Sequence, residues 1–260
     1  MPQFNLSEDQ IDALTTFVLS LTEEKVPMEM QKRLDLKEKE TEEGRLLVSK
    51  LNCNGCHALD GKTGLLRELN EDKGNAPPVL DGEGAKAQEK WLHSFLKSPA
   101  PIRPWLTYRM PTFDLTDDET TTLVHYFANL SHENISYQGT VLPETSPEKV
   151  AAGKELVEKL QCMKCHQVNA DSAAMGTSFL APDLILAKHR LKPEWVKKWL
   201  TDPQVLQEGT MMPTFFADGQ TPIPDVLGGD TNTQIEAIRD YLYQYQSGSD
   251  SADSSKTNKK

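Results

Sequence analysis

Apolar residues recur at helical spacing in several stretches of this chain. Ile11, Leu14, Phe17, Val18 and Leu21 share one helical face behind Ser7 and Gln10, a pair spaced as a capping box. Leu123, Tyr126, Phe127 and Leu130 repeat the pattern behind Thr116 and Glu119. Ile235, Ile238, Tyr241, Leu242 and Tyr245 repeat it again behind Thr231 and Gln234. Two short amphipathic helices are predicted at residues 44–51 and 153–160, each opening on a glycine. Two more carry aromatics at i and i+4: Trp91 with Phe95, and Trp195 with Trp199. Every predicted element is a helix, so the expected fold class is all-α.

The two glycine-led helices run into the same pentapeptide pattern, Cys53-Asn54-Gly55-Cys56-His57 and Cys162-Met163-Lys164-Cys165-His166. CxxCH is the attachment pattern of a c-type haem. Two thiols one short turn apart can each add to a vinyl group on one edge of the porphyrin. The histidine that follows then lies under the ring, where its imidazole can bind iron. Downstream of each pattern stands a second repeated string, Met110-Pro111-Thr112-Phe113 and Met212-Pro213-Thr214-Phe215. A thioether is a soft, neutral donor suited to reduced iron, and a His/Met pair raises the haem potential. The candidate cofactor-binding residues are therefore Cys53, Cys56, His57 and Met110 in the first copy, and Cys162, Cys165, His166 and Met212 in the second. Met211 is an alternative to Met212; Met212 is preferred because Met110 and Met1 also stand directly before proline.

In these motifs the chain resembles the class I cytochrome c family, over nearly all of residues 41–246. The resemblance implies two tandem helical modules, each wrapped round one covalent haem c. It implies that a proline carbonyl orients each histidine, Pro78 and Pro182 here, with Pro77 leaving the first assignment open. It also implies that Gly44 and Gly153 sit in helices because Tyr126 and Tyr241 pack against their bare backbone. Without such a reason, glycine in a helix costs about 1 kcal/mol relative to alanine. The expected organisation is a repeat remnant at 1–30, a charged linker at 31–40, module one at 41–131, a linker at 132–148, module two at 149–246 and a disordered tail at 247–260. The remnant follows from Met1-Pro2-Gln3-Phe4, which matches the later methionine strings in register with its helix. A further CxxCH and an export signal or anchor are accordingly expected before residue 1. Residues 217–229, rich in glycine and proline, are an insertion that module one lacks; shielding of a haem edge and a neutral surface loop both fit it.

Composition changes this picture in two respects. An apolar fraction of 37% and a mean hydropathy of −0.54 are lean for two modules of this size, and a buried haem in each would supply the missing core. The net charge of −11 argues against nucleic acid and against anionic lipid, and favours basic protein partners. The two CxxCH patterns use all four cysteines. No run of about 18 apolar residues occurs, so no membrane span is expected in this chain.

The function expected is electron transfer, without enzymatic activity, between redox partners of a respiratory chain: donor and acceptor cytochromes, or a respiratory complex. The expected location is extracytoplasmic, in the periplasm or on the outer face of the inner membrane, where covalent haem attachment in the resembled family takes place. A dihaem peroxidase is the first alternative, but it needs a displaceable sixth ligand, and a methionine stands ready in both modules. A zinc module built from the CxxC pairs, or a dithiol redox site, is the second; neither gives the histidines or the methionine strings a role. His93, His125, His132 and His189 do not recur between modules and are read as surface or helix-face residues.

Overall fold

The computed structural model describes residues 6–21, 33–136, 141, 144–166 and 181–245. The Met1-Pro2 string, most of the charged run before residue 33, part of the linker and the tail lie outside the described residues. All regular elements among the described residues are helices. The chain divides into two units, residues 1–36 and 37–260.

The first unit contains α1, Glu8–Ser20. Its start follows the sequence: Ser7 N–H donates to Gln10 Oε1 at 3.0 Å and Gln10 N–H donates to Ser7 Oγ at 3.3 Å. Ile11, Leu14, Phe17, Val18 and Leu21 are exposed.

The second unit holds two helical modules, each with its own apolar core. Module one comprises α2 (Leu36–Lys50), α3 (Leu65–Leu69), α4 (Glu83–Lys86), α5 (Glu89–Lys97) and α6 (Asp117–Leu130). Module two comprises α7 (Pro147–Lys159), α8 (Leu186–Arg190), α9 (Pro193–Thr201), α10 (Pro203–Leu206) and α11 (Thr231–Gln244). Helix α2 starts five residues before residue 41 and so takes in part of the stretch read as linker.

In each module the first and last helices cross at a glycine. A Cβ added to Gly44 would run into the Cβ and ring of Tyr126; one added to Gly153 would strike the carbonyl of Ala237 and Tyr241 Cβ. Helix α6 starts with the expected reciprocal cap, Thr116 with Glu119. Helix α11 does not start as expected: Asp230, not Thr231, is its N-cap and accepts from Thr233 N–H at 2.8 Å. Thr231 Oγ1 instead donates to Gly219 O at 2.9 Å. The would-be cap partner Gln234 is fully buried, and its amide donates to Ile223 O and Val226 O at 2.8 and 2.7 Å. The insertion at 217–229 is thus tied to α11 and contributes Val226 to the module-two core.

The modules meet along a reciprocal seam. Gln88 N–H donates to Arg190 O and Lys192 N–H donates to Lys86 O, each at 2.8 Å, around an antiparallel bridge between Ala87 and Leu191. Lys86 Nζ lies 5.6 Å from the Trp195 ring and Arg190 Cζ lies 5.1 Å from the Trp91 ring. Each seam residue of module one meets the counterpart of its own neighbourhood 104 positions later, as an isologous interface requires. Lys192 Nζ also reaches Glu89 Oε1 at 2.8 Å across the seam, with both side chains nearly buried.

Candidate cofactor sites

Both CxxCH patterns form the same structure. Residues Cys53–Gly55 and Cys162–Lys164 are single 3-10 turns, each entered through a left-handed residue, Asn52 at φ 55° and Gln161 at φ 59°. The turn is closed by His57 N–H to Cys53 O at 3.0 Å and His166 N–H to Cys162 O at 3.1 Å. Both cysteines of a pattern therefore sit on one short turn directly before the histidine. The four thiols form no disulfide. Burial pushes Cys53 up and Cys162 up to about 11, away from the lowered values that make a dithiol redox site reactive.

The histidines are oriented alike. His57 Nδ1 is 2.9 Å from Pro78 O, and His166 Nδ1 is 2.6 Å from Pro182 O. A carbonyl can only accept, so Nδ1 carries the proton and Nε2 keeps a free lone pair in each ring. Burial lowers the proton affinity of both imidazoles, which favours the neutral donor form. Pro78 rather than Pro77 makes this contact, because Pro77 O accepts from Arg67 Nη1 at 3.1 Å.

Met110 and Met212 are both partly buried against the cores of their modules, whereas Met211 is 62% exposed. Met212 is held at several points. Its sulfur accepts from Trp199 Nε1 at 2.8 Å, and its carbonyl accepts from Gln204 Nε2 at 3.2 Å. In module one the methionine loop is stapled by Arg109, which donates to Leu106 O and to Pro104 O. Of the remaining histidines, His125 Nδ1 faces Glu40 at 3.1 Å.

Sequence reasoning missed two features here. One is the Trp199 donor: in the sequence Trp199 stands out only as half of an i, i+4 aromatic pair. The other is a set of cations in module one. Arg67 is 6% exposed and donates to Lys73 O and Pro77 O, and Arg103 donates to Gly74 O and Ala76 O. Arg67 lies in a helix of five residues and Arg103 in a loop, both too short or irregular to show a period, so nothing in the sequence marks either arginine. Arg67 Nη2 is buried with no hydrogen-bond partner among the described residues, as is Arg190 Nε on the seam.

These observations fit a covalent haem. Each module offers paired thiols, a neutral imidazole with one free nitrogen and a soft thioether. Two buried guanidinium nitrogens without acceptors among the described residues, Arg67 Nη2 and Arg190 Nε, match the carboxylates that haem carries. They do not fit a shared zinc site: among the described residues no three His, Cys, Asp or Glu side chains gather as metal ligands would.

No curated protein and no solved structure matches the chain. A family model described as Cytochrome c matches residues 41–131 and 150–246. With two tandem matches covering most of its length, only helices as regular elements among the described residues and a CxxCH turn in each match, the chain belongs to the cytochrome c family, whose domains bind haem c covalently and transfer electrons.

Proposed function

We propose that the protein carries two haems c, one per module, and passes electrons between redox partners of a respiratory chain outside the cytoplasm. Cys53 and Cys56, and Cys162 and Cys165, form the thioether links; His57 with Met110, and His166 with Met212, are the axial ligands. Bound there, each iron supplies one-electron chemistry between its ferrous and ferric states. The residues of the chain do the rest. Pro78 and Pro182 hold the imidazoles by their Nδ1 protons and leave Nε2 to face the metal. The thioethers, neutral and soft, favour the reduced state. The acidic surface, at a net charge of −11, suits partners with a basic docking face.

The observation that carries this reading is the recurrence of one imidazole–proline contact after two identical 3-10 turns, each module also placing a partly buried methionine on its core. The test is a haem count and a visible spectrum of the protein matured with haem. Two haems per chain, a sharp reduced α-band and a weak far-red oxidised band are expected. A high-spin band in the untreated protein would favour a peroxidase instead. Replacing Met110 or Met212 with alanine should open one iron to carbon monoxide and lower its potential, while Met211→Ala should do neither. The opposite outcome for Met211 and Met212 would reverse the ligand assignment.

A further inference from the structure

The two modules differ at one position next to the proposed sulfur ligands. Helices α5 and α9 carry stacked aromatic pairs of nearly the same geometry: Trp91 on Phe95 at 4.7 Å and 17°, and Trp195 on Trp199 at 5.0 Å and 18°. Phe95 and Trp199 are thus equivalent, 104 positions apart like the tryptophans before them. Trp199 aims its indole N–H at Met212 Sδ, 2.8 Å away. A phenyl ring has no donor, and no hydrogen bond among the described residues reaches the Met110 sulfur.

We propose that Trp199 is a positioning residue that tunes module two: its N–H holds the Met212 thioether and draws electron density from it, while Phe95 leaves Met110 untuned. The inference rests on Met212 being the sulfur ligand. A hydrogen bond to a ligand sulfur occupies a lone pair and weakens the other as a donor. Ferric iron, with the greater charge, loses more from a weaker donor than ferrous iron does. The bond therefore favours the reduced state and raises the potential of module two. One ring substitution at equivalent positions thereby adds to the inequivalence of the two modules as a redox pair.

The test is a redox titration of the haem-loaded protein and four variants, followed in the α-band and the far-red band. Met212→Ala assigns the module-two component, which should lose its far-red band. Trp199→Phe should keep that band and lower only the module-two component. A change on the order of tenfold in the oxidised-to-reduced ratio is expected, about 59 mV for a one-electron couple. Phe95→Trp should raise only the module-one component, and Trp199→His, which restores a ring N–H, should recover part of the module-two loss. Packing alone would change the melting temperature in Trp199→Phe and leave both potentials where they were, which overturns the proposal. If Met212→Ala keeps the far-red band, the ligand assignment itself fails, and the tuning role falls with it. If Met212→Ala loses the band while Trp199→Phe leaves the potentials unchanged, only the tuning role fails.

Discussion

At the scale of single residues, the turn before each CxxCH shows how local stereochemistry limits what can precede the first cysteine. Asn52 and Gln161 both occupy the left-handed region, at φ 55° and 59°. Asparagine tolerates that conformation and glutamine does so less well, the penalty for an ordinary L-residue being about 1 kcal/mol. Gln161→Asn should therefore stabilise module two by about 0.5 kcal/mol, and Asn52→Gln should destabilise module one by a similar amount. Thermal melting of the haem-loaded protein measures both. Equal melting temperatures across the pair would mean that the turn is set by haem attachment rather than by backbone preference. The same residue-level reading singles out the cysteines, histidines and methionines proposed to hold haem, because each belongs to a string that recurs along the chain. It did not find Arg67 or the Trp199 donor, because both act on atoms distant in sequence or through a loop without a period.

Among elements, the crossing of first and last helices follows from composition. Glycine at 44 and 153 lets Tyr126, or the Ala237 carbonyl and Tyr241, approach the opposite helix axis. Alanine would gain about 1 kcal/mol of helix propensity. Overpacking against backbone and ring atoms costs about 1–3 kcal/mol, and here it must displace a whole helix. Gly44→Ala and Gly153→Ala should each be net destabilising, and calorimetry that showed stabilisation would contradict the crossing. In module one the crossing is tied further by Asp60, which accepts from Arg45 Nε on α2 at 2.6 Å and from Tyr126 Oη on α6 at 3.2 Å. The Arg45 hydrogen bond holds the Asp60 carboxyl below its ordinary value of 3.8. Its stabilising contribution is complete above pH 3.8 and is lost as pH falls through the lower folded value. Asp60→Asn should remove that part of the acid unfolding limb, read as a smaller loss of stability on acidification below pH 3.8 than in the wild type. Helix existence was legible because apolar periodicity is strong; the start of α11 was not. Thr231 and Gln234 have capping-box spacing, but Gln234 gains more as a buried clamp on the insertion, and Asp230 caps instead.

For the molecule as a whole, the sequence predicted two modules and was silent on how they meet. Periodicity reports which face of a helix is apolar, whereas the seam is built from backbone groups at 86–88 and 190–192 and from charged side chains over tryptophans. Those residues look like ordinary surface positions until the second copy is placed against the first. Burial raises the proton affinity of Glu83, but Lys86 and Arg190 more than offset it and leave its carboxyl ionised below the ordinary range. Charges in this seam are therefore paired across or beside the junction, and removing one partner should strand the other. Lys192 and Glu89 make the clearest case, at 2.8 Å with side chains 16% and 10% exposed. Lys192→Glu would set two carboxylates against each other, and Glu133, 3.9 Å from the same ammonium, adds to the repulsion. Breaking a buried pair in this way costs about 3 kcal/mol. Because the pair joins modules rather than supporting either core, the loss should fall on their association. The wild-type protein should melt in one transition and the variant in two, each module retaining its own haem spectrum. Glu89→Lys combined with Lys192→Glu restores opposite charges across the seam and should recover much of the single transition, a coupling that a double-mutant cycle reads directly. If the single variant melts as the wild type does, or the charge swap recovers nothing, this ion pair does not hold the two modules together.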